Sequence, residues 1–340
     1  MNKCGLANLG NTCFLNACIQ VLNCIQEIDQ SQPTFSPHAD PKKPETAVLS
    51  EWIRLKREMR EKQSPVISPN RFIHSVHHIA RIKGRDIFTG FAQNDMPEFL
   101  HFMIECMHNS VCRGVNMRIS GKSENSIDDL AISCYKMLRD TYTREYSEIM
   151  DIFYGIYVSQ ITDSLNTTVH SLKPESFFTL DLPLNTNKDT QTIYECFDQF
   201  VETDILSGEN AWFNEKTREK ESVNKQFIFW NFPKILVIVF KRFSSDGTCK
   251  NNAFIDFPMD RLDLSKYVMG YNPKSYVYDL FGVCNHMGNI DGGHYTSFCR
   301  DSTTGEWVHC NDTRVDPISS SQIVTPAAYC LFYRKKNKSL

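Results

Sequence analysis

No stretch of the 340-residue sequence approaches the roughly 18 to 20 unbroken apolar residues of a membrane span, and the N-terminus has no basic segment leading into a long apolar one. A membrane partner is therefore not expected. Charge of one sign is also lacking: 37 Lys and Arg face 40 Asp and Glu, a formal net charge of −3 with the signs interspersed. That balance argues against nucleic acid as the main partner. Internal repeats and extended low-complexity tracts are missing too. Cysteine, by contrast, is plentiful. Thirteen residues, an odd number in a chain too long to need stapling, read as reduced thiols and place the protein in the cytoplasm and/or nucleus. With 41% hydrophobic and 12% aromatic residues the chain can build a substantial core, as one large domain or two ordinary ones.

The most informative cysteine is Cys13. Gly5-Leu-Ala-Asn-Leu-Gly-Asn-Thr-Cys13 reads as a glycine-hinged loop running into a helix, with Phe14, Cys18, Val21, Leu22 and Ile25 on its apolar face. A thiol in the first turn of a helix meets unpaired amides and a partial positive charge, so Cys13 is expected to ionise easily, with Asn11 and Thr12 as candidate caps. Burial is the competing explanation, because free cysteine is a common core residue. A catalytic thiol needs a base and a group that orients the base.

The pattern predicts a helical first half. Gln32–Glu45, with four prolines, is expected to be loop; helices are expected over about 46–62, 71–82, 96–108 and 128–150, with an exposed loop at 109–128. Asp95 and Glu98 have capping-box spacing, and Pro97 suits a first helical turn. Beyond about residue 152 the chain turns strand-like at Phe153–Ile161, Phe177–Leu182, Gln226–Trp230 and Ile235–Phe240. An antiparallel set follows at Tyr276–Cys284, His294–Arg300, Glu306–Cys310 and Tyr329–Arg334. A helical lobe meeting a sheet lobe leaves a cleft between them, a usual place for a site.

Among ten histidines, His74, His77 and His78 read as the polar face of one helix, and His101 and His108 as exposed helix positions. His294 differs. It follows Asp291-Gly292-Gly293 and opens a strand, and the returning strand delivers Asn311 and Asp312 across a short turn at Asp301–Gly305. An amide or carboxylate oxygen there fixes the imidazole tautomer and leaves the other nitrogen for the thiol proton. Cys, His and Asn or Asp, in that order, have the pattern of a papain-like peptidase.

With these elements in place the sequence resembles the ubiquitin-specific proteases. Gly5–Leu22 resembles the family's Cys box, Gln93-Asn-Asp-Met-Pro-Glu-Phe-Leu its Gln-Gln-Asp box, Leu236–Phe243 a palm strand, and Gly282–Phe298, His309–Val315 and Tyr329–Arg334 the His box and C-terminal strands. The resemblance implies an α+β fold, a papain-like cysteine peptidase with a helical thumb (about 1–150), β fingers (about 152–232) and an antiparallel β palm (about 175–185 and 233–336), all in a single catalytic domain over 1–340. It implies Cys13 as nucleophile, His294 as base, Asn311 as the residue orienting that base and Asp312 as an assistant or substitute. Asn8 takes the oxyanion. Asp95, Glu98, Gln93, His286, Gly292 and Gly293 are implied contacts to ubiquitin, Asp95 gripping an arginine of its tail and the glycines lining a narrow channel.

The departures are few. The stretches near Ser159–Thr162 and Trp212–Glu215, where many members carry Cys-x-x-Cys pairs, contain no cysteine, so neither a structural zinc nor any cofactor is expected. Asn94 replaces a second glutamine, and Cys310 a phenylalanine. The implied activity is cleavage after the Gly-Gly end of ubiquitin on protein conjugates or chains, by a monomer. The alternatives are a catalytically silent ubiquitin-binding module and a peptidase for a ubiquitin-like modifier. No added domain is recognisable, so targeting is expected from loops such as 32–45 or 109–128, or from a partner.

Overall fold

The computed structural model describes residues 4–61, 64–90, 92–244, 246–289 and 292–336. Asp291, counted above with the His294 motif, lies outside them. A short strand β1 (Gly5–Leu6) leads to α1 (Cys13–Leu22), in which every residue is buried. Next come α2 (Gln26–Phe35), α3 (Thr46–Glu61), β2 (Val66–Ile67), α4 (Asn70–Ile82), α5 (Met96–Val111), α6 (Ser126–Glu145) and α7 (Glu148–Phe153). Apolar spacing explains most of these: Val48, Leu49, Trp52, Leu55 and Met59 bury one face of α3, and Phe72, Ile73, Val76, Ile79 and Ala80 one face of α4.

The second half contains β3 (Gly155–Asp163), β4 (Val169–Phe177), β5 (Thr179–Leu182), β6 (Thr190–Thr192), α8 (Ile193–Phe200), β7 (Asp204–Leu206), β8 (Trp212–Asn214), β9 (Glu219–Glu221), β10 (Val223–Asn231), β11 (Ile235–Phe240), β12 (Phe254–Asp256), β13 (Leu262–Asp263), β14 (Val277–Gly288), β15 (Gly293–Arg300), β16 (Trp307–Asn311), β17 (Arg314–Ile318) and β18 (Ala328–Lys335). A large sheet runs β17-β16-β15-β14-β18-β11-β5, with β13 against β14, and a separate sheet runs β4-β3-β10-β7. Strand β11 is the spine of the large sheet. Ile235, Val237 and Val239 enter the core shared with the helical half, while Leu236, Ile238 and Phe240 enter the core on the opposite face. Both faces are covered, as its unbroken apolar sequence requires.

Several expectations are corrected. Helix α2 continues to Phe35 with Pro33 inside it, because Ile28 and Phe35, both almost fully buried, anchor its inner face; the loop begins later than the prolines suggest. Helix α6 starts earlier and ends before a separate α7. Strand β4 and helix α8 were not expected, although α8 carries a complete capping box between Thr192 and Glu195. The palm is not wholly antiparallel: β5 pairs with β11 in parallel, which the long excursion through α8 and the smaller sheet makes possible. His108 is half-buried rather than exposed and shares a 2.8 Å hydrogen bond with Ser147.

At the tip of the smaller sheet, where the cysteine pairs are lacking, polar side chains tie the strands. Thr162 Oγ1 donates to Asn166 Oδ1 (2.6 Å), as does Asn224 Nδ2 (3.0 Å). At its base, Leu130, Ala131 and Cys134 of α6 pack on Ile156, Val158 and Trp230. Among the described residues no group of three or more His, Cys, Asp or Glu could hold a metal ion.

Candidate active site

Helix α1 packs against β15 and α5, so Cys13 and His294 come to one place from opposite halves of the chain. The backbone amide of Tyr295, the residue after His294, lies beside the Cys13 sulfur and lowers its pKa. His294 Nε2 lies 2.8 Å from Asn311 Oδ1 on the neighbouring strand β16. A carbonyl oxygen only accepts, so Nε2 carries the hydrogen and Nδ1 is the nitrogen left for the thiol. The structure thus brings the three residues named from the sequence into one neighbourhood.

The surroundings of the Cys13 thiol oppose the ready ionisation expected of it. Cys13 is 4% exposed, and burial pushes its pKa up from the ordinary value, with the Asp312 carboxylate adding to the rise; the amides of Tyr295, Phe14 and Cys13 pull the other way. Desolvation is the largest of these influences. The expected caps also behave differently. Thr12 makes no side-chain bond to the helix; its hydroxyl accepts from Leu9 N (3.0 Å) and donates to Asn8 Oδ1 (3.3 Å). Asn11 sits at φ 52°. Both residues shape the loop, and the Thr12 side chain does not cap the helix.

That loop aims Asn8. Its Oδ1 accepts from the amides of Gly10 and Thr12, each at 3.1 Å, and its Nδ2 donates to Asp312 Oδ2 at 2.9 Å. One amide hydrogen is thereby used and one remains for a ligand. The other Asp312 oxygen, Oδ1, accepts from Asn16 Nδ2 at 2.8 Å. Asp312 was expected to assist the imidazole. Instead, the turn after β16, with Asp312 at φ 48°, divides two adjacent residues between two tasks: Asn311 holds His294, and Asp312 holds Asn8. The backbone secures this turn as well, since Leu6 N donates to Asp312 O (2.8 Å), and a side chain at Gly5 would collide with Thr313.

Of the remaining expected contacts, Asp95 and Glu98 line a cleft of about 610 Å³ together with His101, Asp181, Phe243 and Tyr329, among others. Asp95 is the N-cap of α5, yet its side chain makes no cap bond; it accepts from Tyr295 Oη (2.8 Å) and from Tyr329. Burial raises its pKa, and the two phenols oppose that rise. Asp95 and Glu98 therefore form no complete capping box, although the Glu98 backbone amide beside Asp95 also lowers its pKa, and Glu98 is exposed in the first turn. Gln93 Oε1 accepts from Gly293 N at 2.8 Å, which ties the entry to α5 to the glycines before His294.

His286, implied above as a contact to ubiquitin, is a buried strand residue. It is 5% exposed on β14, among the rings of Phe243, Tyr295 and Tyr329, and burial together with the Lys250 charge lowers its pKa to about 4. Its presence explains Gly293, where any Cβ would strike His286 Nε2 and Met287 O. Lys250 donates to the carbonyls of His286 (2.9 Å) and Gly288 (3.1 Å), fixing the end of β14. Motif reading missed Asn16, Asp181, Lys250 and the phenols of Tyr295 and Tyr329. Only Asn16 left a signal, as a polar residue one helical turn after Cys13 in an apolar helix.

A helix-borne thiol, a strand-borne imidazole held by an amide, and a carboxamide aimed at the first turn of that helix define the papain-like class of thiol hydrolases. Comparison with known proteins carries this further. The sequence profile of the ubiquitin carboxyl-terminal hydrolases matches residues 4–333, and the chain belongs to that family. It is 35% identical to ubiquitin carboxyl-terminal hydrolase 2 of Homo sapiens, over 97% of this chain and 54% of that protein. It is 30% identical to ubiquitin carboxyl-terminal hydrolase 21 of Mus musculus, over 99% of this chain and 62% of that one. The chain thus spans about half the length of the curated relatives it matches. A solved SAGA DUB module of Ubp8, Sgf11, Sus1 and Sgf73 bound to monoubiquitin shares the fold, with a TM-score of 0.75 at 23% identity over 99% of this chain and 71% of that one.

Proposed function

We propose that this chain is a cysteine-type deubiquitinase that hydrolyses the isopeptide bond after the C-terminal Gly-Gly of ubiquitin, on protein conjugates or on chains. One observation carries the reading: the Cys13 sulfur, the Asn311-held imidazole and the Asp312-held carboxamide converge where the helical half meets the large sheet.

His294 Nδ1 takes the Cys13 proton as the sulfur attacks the carbonyl of ubiquitin's terminal glycine. The tetrahedral oxyanion is held by the free amide hydrogen of Asn8 and the backbone N–H of Cys13, and loss of one such donor costs roughly 3–4 kcal/mol of barrier. His294 then protonates the departing lysine amine, and water, deprotonated by the same imidazole, hydrolyses the thioester. No step calls on a cofactor. Asp95, with Glu98 and Asp181 beside it in the cleft, faces the basic tail of the modifier, and Gly292 and Gly293 border the reacting end. Both halves of the site come from one chain, which supports a monomeric enzyme acting on ubiquitin and ubiquitinated proteins. The thirteen cysteines support a reducing compartment, the cytoplasm or nucleus.

Ubiquitin carrying a C-terminal electrophile tests the reading. It should label Cys13, and Cys13→Ala should abolish labelling while ubiquitin is still bound. A folded wild-type chain that binds ubiquitin without labelling or turnover would establish a silent binding module, and faster labelling by a ubiquitin-like probe would move the specificity to that modifier.

A further inference from the structure

We infer that Asn16 is a positioning residue for the oxyanion site, acting through Asp312 on Asn8; this rests on the hydrolase reading above. Asn16 lies one turn beyond Cys13 on α1, is 2% exposed, and faces away from solvent along a helix that is otherwise mostly apolar. Its Nδ2 donates to Asp312 Oδ1 at 2.8 Å and lies 3.4 Å from each of the carbonyls of Leu6 and Ala7. Its Oδ1 is buried with no hydrogen-bond partner. A half-satisfied buried amide is a poor way to stabilise a helix, since an apolar side chain of similar shape fills the space without an orphaned acceptor. The polar group is therefore explained by what its nitrogen does.

That nitrogen completes a pincer. The Asp312 carboxylate accepts one amide on each oxygen, Asn16 on Oδ1 and Asn8 on Oδ2, so rotation of the carboxylate breaks both bonds together. Asp312 hangs on a left-handed turn residue and carries Asn8 from one side, while the amides of Gly10 and Thr12 hold Asn8 from the other. Asn16 and Cys13 share one helix. The oxyanion donor is thus referenced to the nucleophile's own helix through a single carboxylate, which is the precision that preorganised charge stabilisation demands.

The test is a double-mutant cycle on the full chain with ubiquitin bearing a fluorogenic C-terminal amide. Asn16→Ala, and Asn16→Leu as a volume-preserving control for folding, should each lower kcat by about 10- to 100-fold, as a small misplacement of a catalytic group does, with KM changed by less than about twofold. Affinity for ubiquitin aldehyde, whose hemithioacetal mimics the tetrahedral state, should fall by a similar factor while affinity for ubiquitin holds. In an Asn8→Ala background the Asn16 substitutions should cost nothing further. An unchanged kcat in both variants, or an equal loss in the Asn8→Ala background, would overturn the inference while leaving the hydrolase reading standing. A folded wild-type chain with no turnover would overturn the hydrolase reading first, and this inference with it.

Discussion

At the residue scale the site is governed by burial. His286 shows it most clearly: enclosed by three aromatic rings and facing the Lys250 ammonium, it is held neutral with a pKa of about 4. In the unfolded chain the same side chain titrates near 6.5. Between those values the unfolded state binds a proton that the folded state refuses. This contribution to stability is therefore fully present above the unfolded value and is lost as pH falls toward 4, by at most about 1.4 kcal/mol per pH unit. Urea unfolding at pH 6.5 and 4.5 should show His286→Phe losing less stability on acidification than the wild type; parallel losses would refute the assignment. The residues proposed to carry the chemistry stood out in the sequence because each sits in a short contiguous motif. Asn16, Lys250, Tyr295 and Tyr329 were not, since their partners lie far away in sequence, as with Tyr295 and Asp95, 200 residues apart. Asp95 shows how such a contact escapes local reading, for the spacing to Glu98 points to a cap and gives no sign of the Tyr295 phenol far along the chain.

At the scale of elements, the hairpin of β14 and β15 is the most constrained part of the site. Lys250 pins the end of β14 by two carbonyls, Gln93 pins the start of β15 by the Gly293 amide, and His286 packs against the backbone between them. His294 follows immediately, so its position depends on those three contacts. Gly293→Ala should displace His286 or the strand and lower kcat by about 100-fold, the order expected for a misplaced base, with little change in Cys13 burial. Steady-state kinetics beside near-ultraviolet circular dichroism would check it, and a fully active Gly293→Ala enzyme would contradict it. Element type was legible wherever apolar spacing was strong, as in α3, α4 and β11. It was obscured where proline stood in a helix held by tertiary contacts, as in α2, and where polar strands such as β4 carried no alternation to read.

Across the whole molecule, two cores meet at the large sheet. One face packs against the helices α1 and α5; the other packs against α8 and the strands around β13. The order helices first, strands second made an α+β fold legible, and the doubly covered β11 was visible as an unbroken apolar run. The parallel pairing of β5 with β11 was not, because strand direction is set by the path of the connection rather than by the composition of either strand. The site lies where the halves join, so its two principal groups, Cys13 and His294, are brought together only by folding. The most direct test is the release of ubiquitin from a ubiquitin–lysine isopeptide by the purified wild-type chain, Cys13→Ala and His294→Ala. Multiple turnover by the wild type with no detectable release by either variant is the predicted result; release that survives Cys13→Ala would contradict the account.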